Sequence, residues 1–212
     1  MNIAIIGAGN VGGALGQNWA QKGHDIAFGV RDPKAEKTQT LLKKISGKAK
    51  AVTPAEAAAA ADVIVLSTPW PAAEAAIRSM GNLSGKVILD ATNPLARGPN
   101  GVSLEIGHTT SAGEKVQGWA VGASVFKTLN TTGFGNMANP VFNGVKSVMF
   151  VAGDDGANKP KVIALVAELG FEVIDAGPLS NARLLEAHAM LWIDLALVRG
   201  QGRDFAFAIL RR

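Results

Sequence analysis

The chain of 212 residues has no cysteine and no tyrosine, only three histidines, and aromatic residues make up 6% of it. The absence of cysteine excludes disulfides, thiolate nucleophiles, iron–sulfur clusters and cysteine zinc sites together. Oxygen and imidazole ligands remain for a metal, but His24, His108 and His188 are scattered, so no metal site is expected. Charged residues supply 18% of the chain against roughly 25% in an average domain. The hydrophobic share is 48%, enough to bury a large core and to exclude disorder for most of the chain. No run reaches the ~18 uninterrupted apolar residues of a membrane span. The longest, Ala189 to Val198, carries Asp194 inside it. The opening Met1-Asn2-Ile3-Ala4-Ile5-Ile6 has no basic segment ahead of its apolar residues, so no export signal is expected and a cytoplasmic location is.

The formal charge of +4 matters for nucleic acid only if it is clustered. Lys34, Lys37, Lys43, Lys44, Lys48 and Lys50 lie in a polar stretch that reads as a solvated helix and loop, so neither nucleic acid nor a membrane is an expected partner. The length fits one domain, 1–212, with a small C-terminal extension from about residue 176.

Short apolar runs rich in β-branched residues alternate with helical stretches. Residues 2–6, 25–30, 63–66, 86–90, 124–127, 147–152 and 172–175 read as strands, apolar on both faces, as buried parallel strands must be. The spacing of Val11, Leu15 and Trp19 predicts the first helix, and Thr53-Pro54 opens a short alanine-rich helix to Ala61. Helices are also expected over 71–80, 159–169 and 181–199. The polar stretch from Arg97 to Gly118 reads as a loop with one short helix, a candidate lid. The last helix is apolar nearly all round and must be covered, under the sheet or by a second copy in a homodimer.

Gly7-Ala8-Gly9-Asn10-Val11-Gly12 fits G-x-G-x-x-G, with a strand before it and a helix after it. In that setting Gly7 makes the tight turn, Gly9 admits a pyrophosphate and Gly12 lets helix and strand pack closely. The expected fold is α/β, a Rossmann-type doubly wound, mostly parallel sheet. At the end of the second strand, where an NAD enzyme places an acid, stands Val30, followed by Arg31. A guanidinium there can hold a 2′-phosphate, with Lys34 in support, which favours NADP(H). Two alternatives stay open: Asp32 turns inward to an NAD ribose, or Arg31 only pairs with Asp32 on the surface.

With this turn, Gly29-Val30-Arg31-Asp32-Pro33, Ser67-Thr68-Pro69-Trp70, Lys127-Thr128-Leu129-Asn130-Thr131 and Asp175-Ala176-Gly177-Pro178-Leu179-Ser180-Asn181-Ala182-Arg183 in this order, the whole chain resembles the coenzyme F420-dependent NADP oxidoreductases. It is similar also to the cytosolic domain of the six-transmembrane ferric reductases. The resemblance implies a dimeric enzyme passing hydride between NADP(H) and a flavin-type acceptor: F420, FMN or FAD. It implies Gly9, Asn10 and Val11 at the pyrophosphate and Arg31 at the 2′-phosphate. Thr68, Pro69 and Trp70 would line the nicotinamide, and Asn93 and Pro94 would form the next wall. Asn130 to Phe134 differs from the family's acceptor-side segment, which leaves the acceptor open.

Hydride transfer between two rings asks the protein to orient them and exclude water. No nucleophile elbow or histidine–carboxylate pair is present in the sequence. Lys127 is the weak catalytic candidate; otherwise it caps carbonyls or meets an acid such as Asp90. His188 reads as a satisfied packing histidine, Trp19 and Trp192 as core, and Ser180 as a helix cap. Trp70 either stacks near the nicotinamide or plugs the sheet edge. A reductase of small carbonyls or imines would need a large helical C-terminal domain, for which residues 176–212 are too few. A non-enzymatic redox-sensing NADP module is the remaining alternative.

Overall fold

Strands that are apolar at every position can be buried only between two helical layers, and that is the arrangement found. The computed structural model describes residues 1–98 and 101–212. In chain order the elements are β1 (Asn2–Ile6), α1 (Asn10–Gln21), β2 (Asp25–Gly29), α2 (Glu36–Lys44), β3 (Ala49–Val52), α3 (Pro54–Ala60), β4 (Val63–Leu66) and α4 (Ala73–Ser79). Then follow β5 (Val87–Asp90), β6 (Leu95–Gly98), β7 (Gly101–Leu104), α5 (Ala112–Trp119), β8 (Ser124–Lys127), α6 (Phe134–Ala138), β9 (Val141–Phe142) and β10 (Val145–Lys146). The chain closes with β11 (Val148–Gly153), α7 (Lys159–Ala167), β12 (Glu172–Asp175) and α8 (Ala182–Ile193).

The central sheet has the order β12-β11-β8-β5-β4-β1-β2-β3. It is parallel except where β11 meets β8 antiparallel, with Ala152 opposite Lys127. Alternation along β1 divides the core in two. Ile3 and Ile5 join Leu15, Trp19 and Phe28 on one face, while Ala4 and Ile6 join Ile64, Leu66 and Ile77 on the other. Trp19 is fully buried and donates its indole N–H to the Leu165 carbonyl at 3.1 Å, and Trp192 is buried too. Strand order reverses at β1, so the crevice beyond the carboxyl ends of β1 and β4 is where such a sheet takes ligands. No helix among the described residues is long and apolar enough to cross a membrane.

Three expectations need correction. In the 97–118 stretch the expected short helix is present as α5, but the part before it is not a plain loop: β6 and β7 pair from Leu95 opposite Leu104 to Gly98 opposite Gly101. Residues 99 and 100 of it lie outside the described residues. Ser111 caps α5 by accepting from the Glu114 amide, a start signal hidden in polar sequence. The edge strand β3 has only half-buried or exposed residues and therefore no apolar run to announce it. The last helix is regular only to Ile193, and Asp194–Val198 form a π-helical turn that rotates its apolar stripe.

Candidate functional site

Between Ile6 and Asn10 three residues make the whole turn. Gly7 sits at φ +108°, and a Cβ there would come within 3.1 Å of the Ser67 carbonyl oxygen. A Cβ on Gly12 would lie 2.2 Å from the Gly7 carbonyl oxygen, so close packing of α1 on the turn requires glycine. At Gly9 a Cβ would meet nothing within 4 Å, and φ is an ordinary −81°. The space in front of Gly9 is open. Gly9 caps α1 without a side-chain hydrogen bond, and the first turn carries no acid. The leading amides of α1 therefore face that space with no protein anion before them, the arrangement that favours a bound diphosphate. Ser67, which opens the Ser67-Thr68-Pro69-Trp70 segment, donates its hydroxyl to the Ile6 and Gly7 carbonyls at 3.1 and 3.2 Å and ties the turn to the end of β4.

β2 pairs with β1 with Gly29 opposite Ile6, so Arg31 emerges on the adjacent strand end. Arg31 and Lys34 are exposed, and neither forms an ion pair with an acid among the described residues. The Asp32 carboxylate accepts the Lys34 amide at 2.9 Å, so the surface pairing of Arg31 with Asp32 is not formed. A groove of about 690 Å³ opens beside the turn, bounded by Gly9 and Asn10 of the turn, Lys37 and Lys44 of α2, and Phe134 and Ala138 of α6.

Farther along the carboxyl edge, Thr68 and Pro69 follow β4, and the Thr68 hydroxyl is buried without a partner. The Trp70 indole stacks on Trp119, centroids 5.4 Å apart and planes at 27°, and packs against the core beneath α3 to α5, as a plug of the sheet edge does. Asn93 and Pro94 follow β5. Asn93 donates to the Asn130 carbonyl at 2.9 Å and accepts from the Asn130 amide group at 3.0 Å, which joins the walls rising from β5 and β8. Leu129, fully buried between Thr128 and Asn130, takes φ +58°, a left-handed conformation held by its surroundings.

Lys127 has no exposed surface. Its ammonium lies 2.9 Å from the Asp90 carboxylate, 2.9 Å from Glu186 and 2.6 Å from the Thr92 carbonyl. Two N–H bonds, to Asp90 and the Thr92 carbonyl, and an ion pair with Glu186 surround the ammonium, the geometry of an acid-paired lysine. Glu186 also accepts the Ala112 and Gly113 amides at the start of α5. Beside this cluster Arg183 grips Glu114 with two N–H bonds at 2.9 and 2.6 Å, and chiefly through this contact holds its carboxyl below the usual range. His188 packs between Phe150 and Phe207, but its Nδ1 is buried without a partner, so the expectation of a satisfied imidazole is corrected. Burial lowers its pKa. Ser180 lies in a 3₁₀ turn that leads into α8 and makes no side-chain cap; Asn181 occupies the cap position.

The family of coenzyme F420-dependent NADP oxidoreductases matches residues 2–94. An F420-dependent NADP reductase from Methanothermobacter thermautotrophicus is 30% identical over 92% of this chain and 89% of its own length. The chain belongs to this family. A crystal structure of an Arthrobacter sp. FB24 protein assigned as an F420-dependent NADP reductase superposes over 100% of both chains with a TM-score of 0.91 at 33% identity. A Streptomyces aurantiacus imine reductase shares the fold alone, at TM-score 0.66 and 17% identity, and this chain covers 64% of it. In this F420-dependent NADP oxidoreductase family member, the stretch matched by the family spans the glycine turn, Arg31, Thr68 to Trp70 and Asn93-Pro94, and ends before Lys127, α6 and α8.

Proposed function

We propose that the chain is an NADPH-dependent oxidoreductase that passes hydride to a deazaflavin or flavin acceptor. The observation that carries this reading is the open space before Gly9, faced by the uncapped N-terminus of α1 and flanked by the unpaired Arg31. Gly9, Asn10 and Val11 would hold the diphosphate, with Gly7 and Gly12 shaping the turn. Arg31 and Lys34 would hold the 2′-phosphate. Thr68, Pro69 and the backbone of Trp70 would line the nicotinamide end, with Asn93 and Pro94 as the next wall. Bound NADPH supplies the hydride. The chain orients two rings and keeps water from between them, a task that needs no acid or base. Lys127 then acts as a buried tie, not as a catalyst.

The single domain 1–212 would work as a homodimer. Leu184, Leu191, Leu197 and Val198 of the last helix and its π-turn stay exposed, an apolar stripe that a second copy would cover. Stopped-flow oxidation of NADPH with coenzyme F420, FMN, FAD and a ferric chelate tests the reading. Rapid oxidation by F420 or a flavin is the expected result. Tight NADPH binding with no oxidation by any of the four would favour a redox-sensing module instead.

A further inference from the structure

A five-residue helix such as α6 has no stability of its own, and it is held from two sides. On one side it seats on α1, where Asn18 donates its side-chain amide to the Met137 and Ala138 carbonyls, each at 3.4 Å. Here Phe134, Gly135 and Ala138 wall the groove of about 690 Å³ that holds Gly9 and Asn10 of the glycine turn. On the other side lies the segment 205–207, which forms neither helix nor strand. Asn136, 3% exposed, donates one amide N–H bond to the Thr132 hydroxyl at 2.8 Å and the other to the Phe205 carbonyl at 2.7 Å. The same carbonyl accepts the Trp192 indole N–H at 3.0 Å, and the Phe205 ring stacks on that indole, centroids 5.4 Å apart. Two residues on, the Val148 amide donates to the Phe207 carbonyl at 2.9 Å, which fastens the segment at the start of β11. One carbonyl thus ties α8 to α6, and α6 stands between that tie and the mouth of the glycine turn.

We infer that residues 205–207 belong to the dinucleotide site: through the Phe205 carbonyl and Asn136 they fix α6, and α6 walls the groove at the point where the diphosphate meets Gly9. Asn136 is a positioning residue for the nucleotide, acting through α6. This rests on the reading that the glycine turn holds the diphosphate. It adds a requirement, because a wall that must be ordered when the ligand arrives takes that ordering out of the affinity. Arg31 and Lys34 follow β2 and lie outside the groove, so their hold on a 2′-phosphate does not depend on α6. Coupling between two sites is reciprocal, so bound NADPH in turn holds the segment 205–207 in place.

The test uses the full chain and three variants. Asn136→Ala removes the side chain, Asn136→Asp keeps its size without the donor to the Phe205 carbonyl, and Trp192→Phe keeps a ring on Phe205 without the indole N–H. Titration calorimetry reads Kd for NADPH and for adenosine 2′-monophosphate, which lacks the diphosphate. Each variant that folds should raise the NADPH Kd about five- to ten-fold and leave that of adenosine 2′-monophosphate within about two-fold of wild type. Trypsin cleavage after Arg203, at the edge of the docked segment, should slow about three-fold when NADPH saturates the wild-type protein, and not in Asn136→Ala. Unchanged NADPH affinity in the folded variants, equal losses for both ligands, or wild-type cleavage indifferent to NADPH overturns the inference. Wild-type protein that binds NADPH without slowing hydrogen exchange of the first amides of α1 overturns the diphosphate reading beneath it, and that control separates the two failures.

Discussion

The two ends of the carboxyl edge are built by opposite means. At the β1–β2 end the site is backbone: a three-residue turn, unpaired amides and one exposed guanidinium, with no charge buried nearby. At the β5–β8 end three ionisable side chains, Asp90, Lys127 and Glu186, are sealed from water and tie β5, β8, α5 and α8 together. Burying such groups costs more than most pairings return, and the α5 amides give Glu186 two further hydrogen bonds. Such a cluster fixes a unique arrangement rather than adding stability. The first end is a ready cradle for an anion that many nucleotides share. The second is an assembled wall whose shape depends on contacts between Asn93 and Asn130, 37 positions apart, and between Ala112 and Glu186, 74 apart.

The comparison can be broken most forcefully at Lys127. Lys127→Met leaves two carboxylates buried without their cation and should cost ~3–5 kcal/mol, a fall in Tm of roughly 6–20 °C by differential scanning fluorimetry. The Kd for NADPH should stay near wild type where the variant is folded; a large loss of NADPH affinity would show that the two ends are not separate. At the other end Gly9→Val should do the reverse. Its Cβ enters the phosphate space with no protein atom within 4 Å, so NADPH affinity should drop by on the order of 100-fold or more. The accompanying change in Tm should be a few degrees at most.

Arg31→Ala sharpens the picture of the cradle. Titration calorimetry should show NADPH weakened by ~1.5–3 kcal/mol, on the order of 10- to 150-fold, with NADH nearly unchanged. Equal losses would remove the 2′-phosphate assignment. The smallest effect lies outside both ends, at Asp155, whose pKa is lowered to about 2 by the Asn158 and Ser124 side chains and the Asn158 amide. Because folding depresses this pKa, its stabilisation is complete above the ordinary carboxylate value of 3.8 and is lost as pH falls through about 2. Urea midpoints of wild type and Asp155→Asn should therefore differ at about pH 5 and converge near pH 2.

The same contrast governs what could be read from the chain alone. The turn made by Gly7 and Gly12 was legible because its shape is set by neighbours a few positions away and by backbone geometry that only glycine allows. The strands of the sheet centre were legible because burial on both faces leaves continuous apolar runs. β3 was not, since Ala49 to Val52 is a half-exposed edge with no such run. Nor was the hairpin of β6 and β7, whose residues are no more than half-buried and whose strands are broken by glycine, Arg97 and Ser103. Lys127 was flagged as a catalytic candidate, with Asp90 as the acid it would otherwise meet; the Asp90 pair is present, but Glu186 and the α5 amides carry no local signal. Trp70 had two readings in sequence, and its stack on Trp119 fits the plug.

A crystal structure of the protein grown with saturating NADP⁺ tests the central claim most directly. The account predicts the diphosphate within hydrogen-bonding distance of the Asn10 and Val11 amides, and the 2′-phosphate on the Arg31 guanidinium. A nucleotide bound elsewhere, or a 2′-phosphate turned away from Arg31 to solvent, would contradict it.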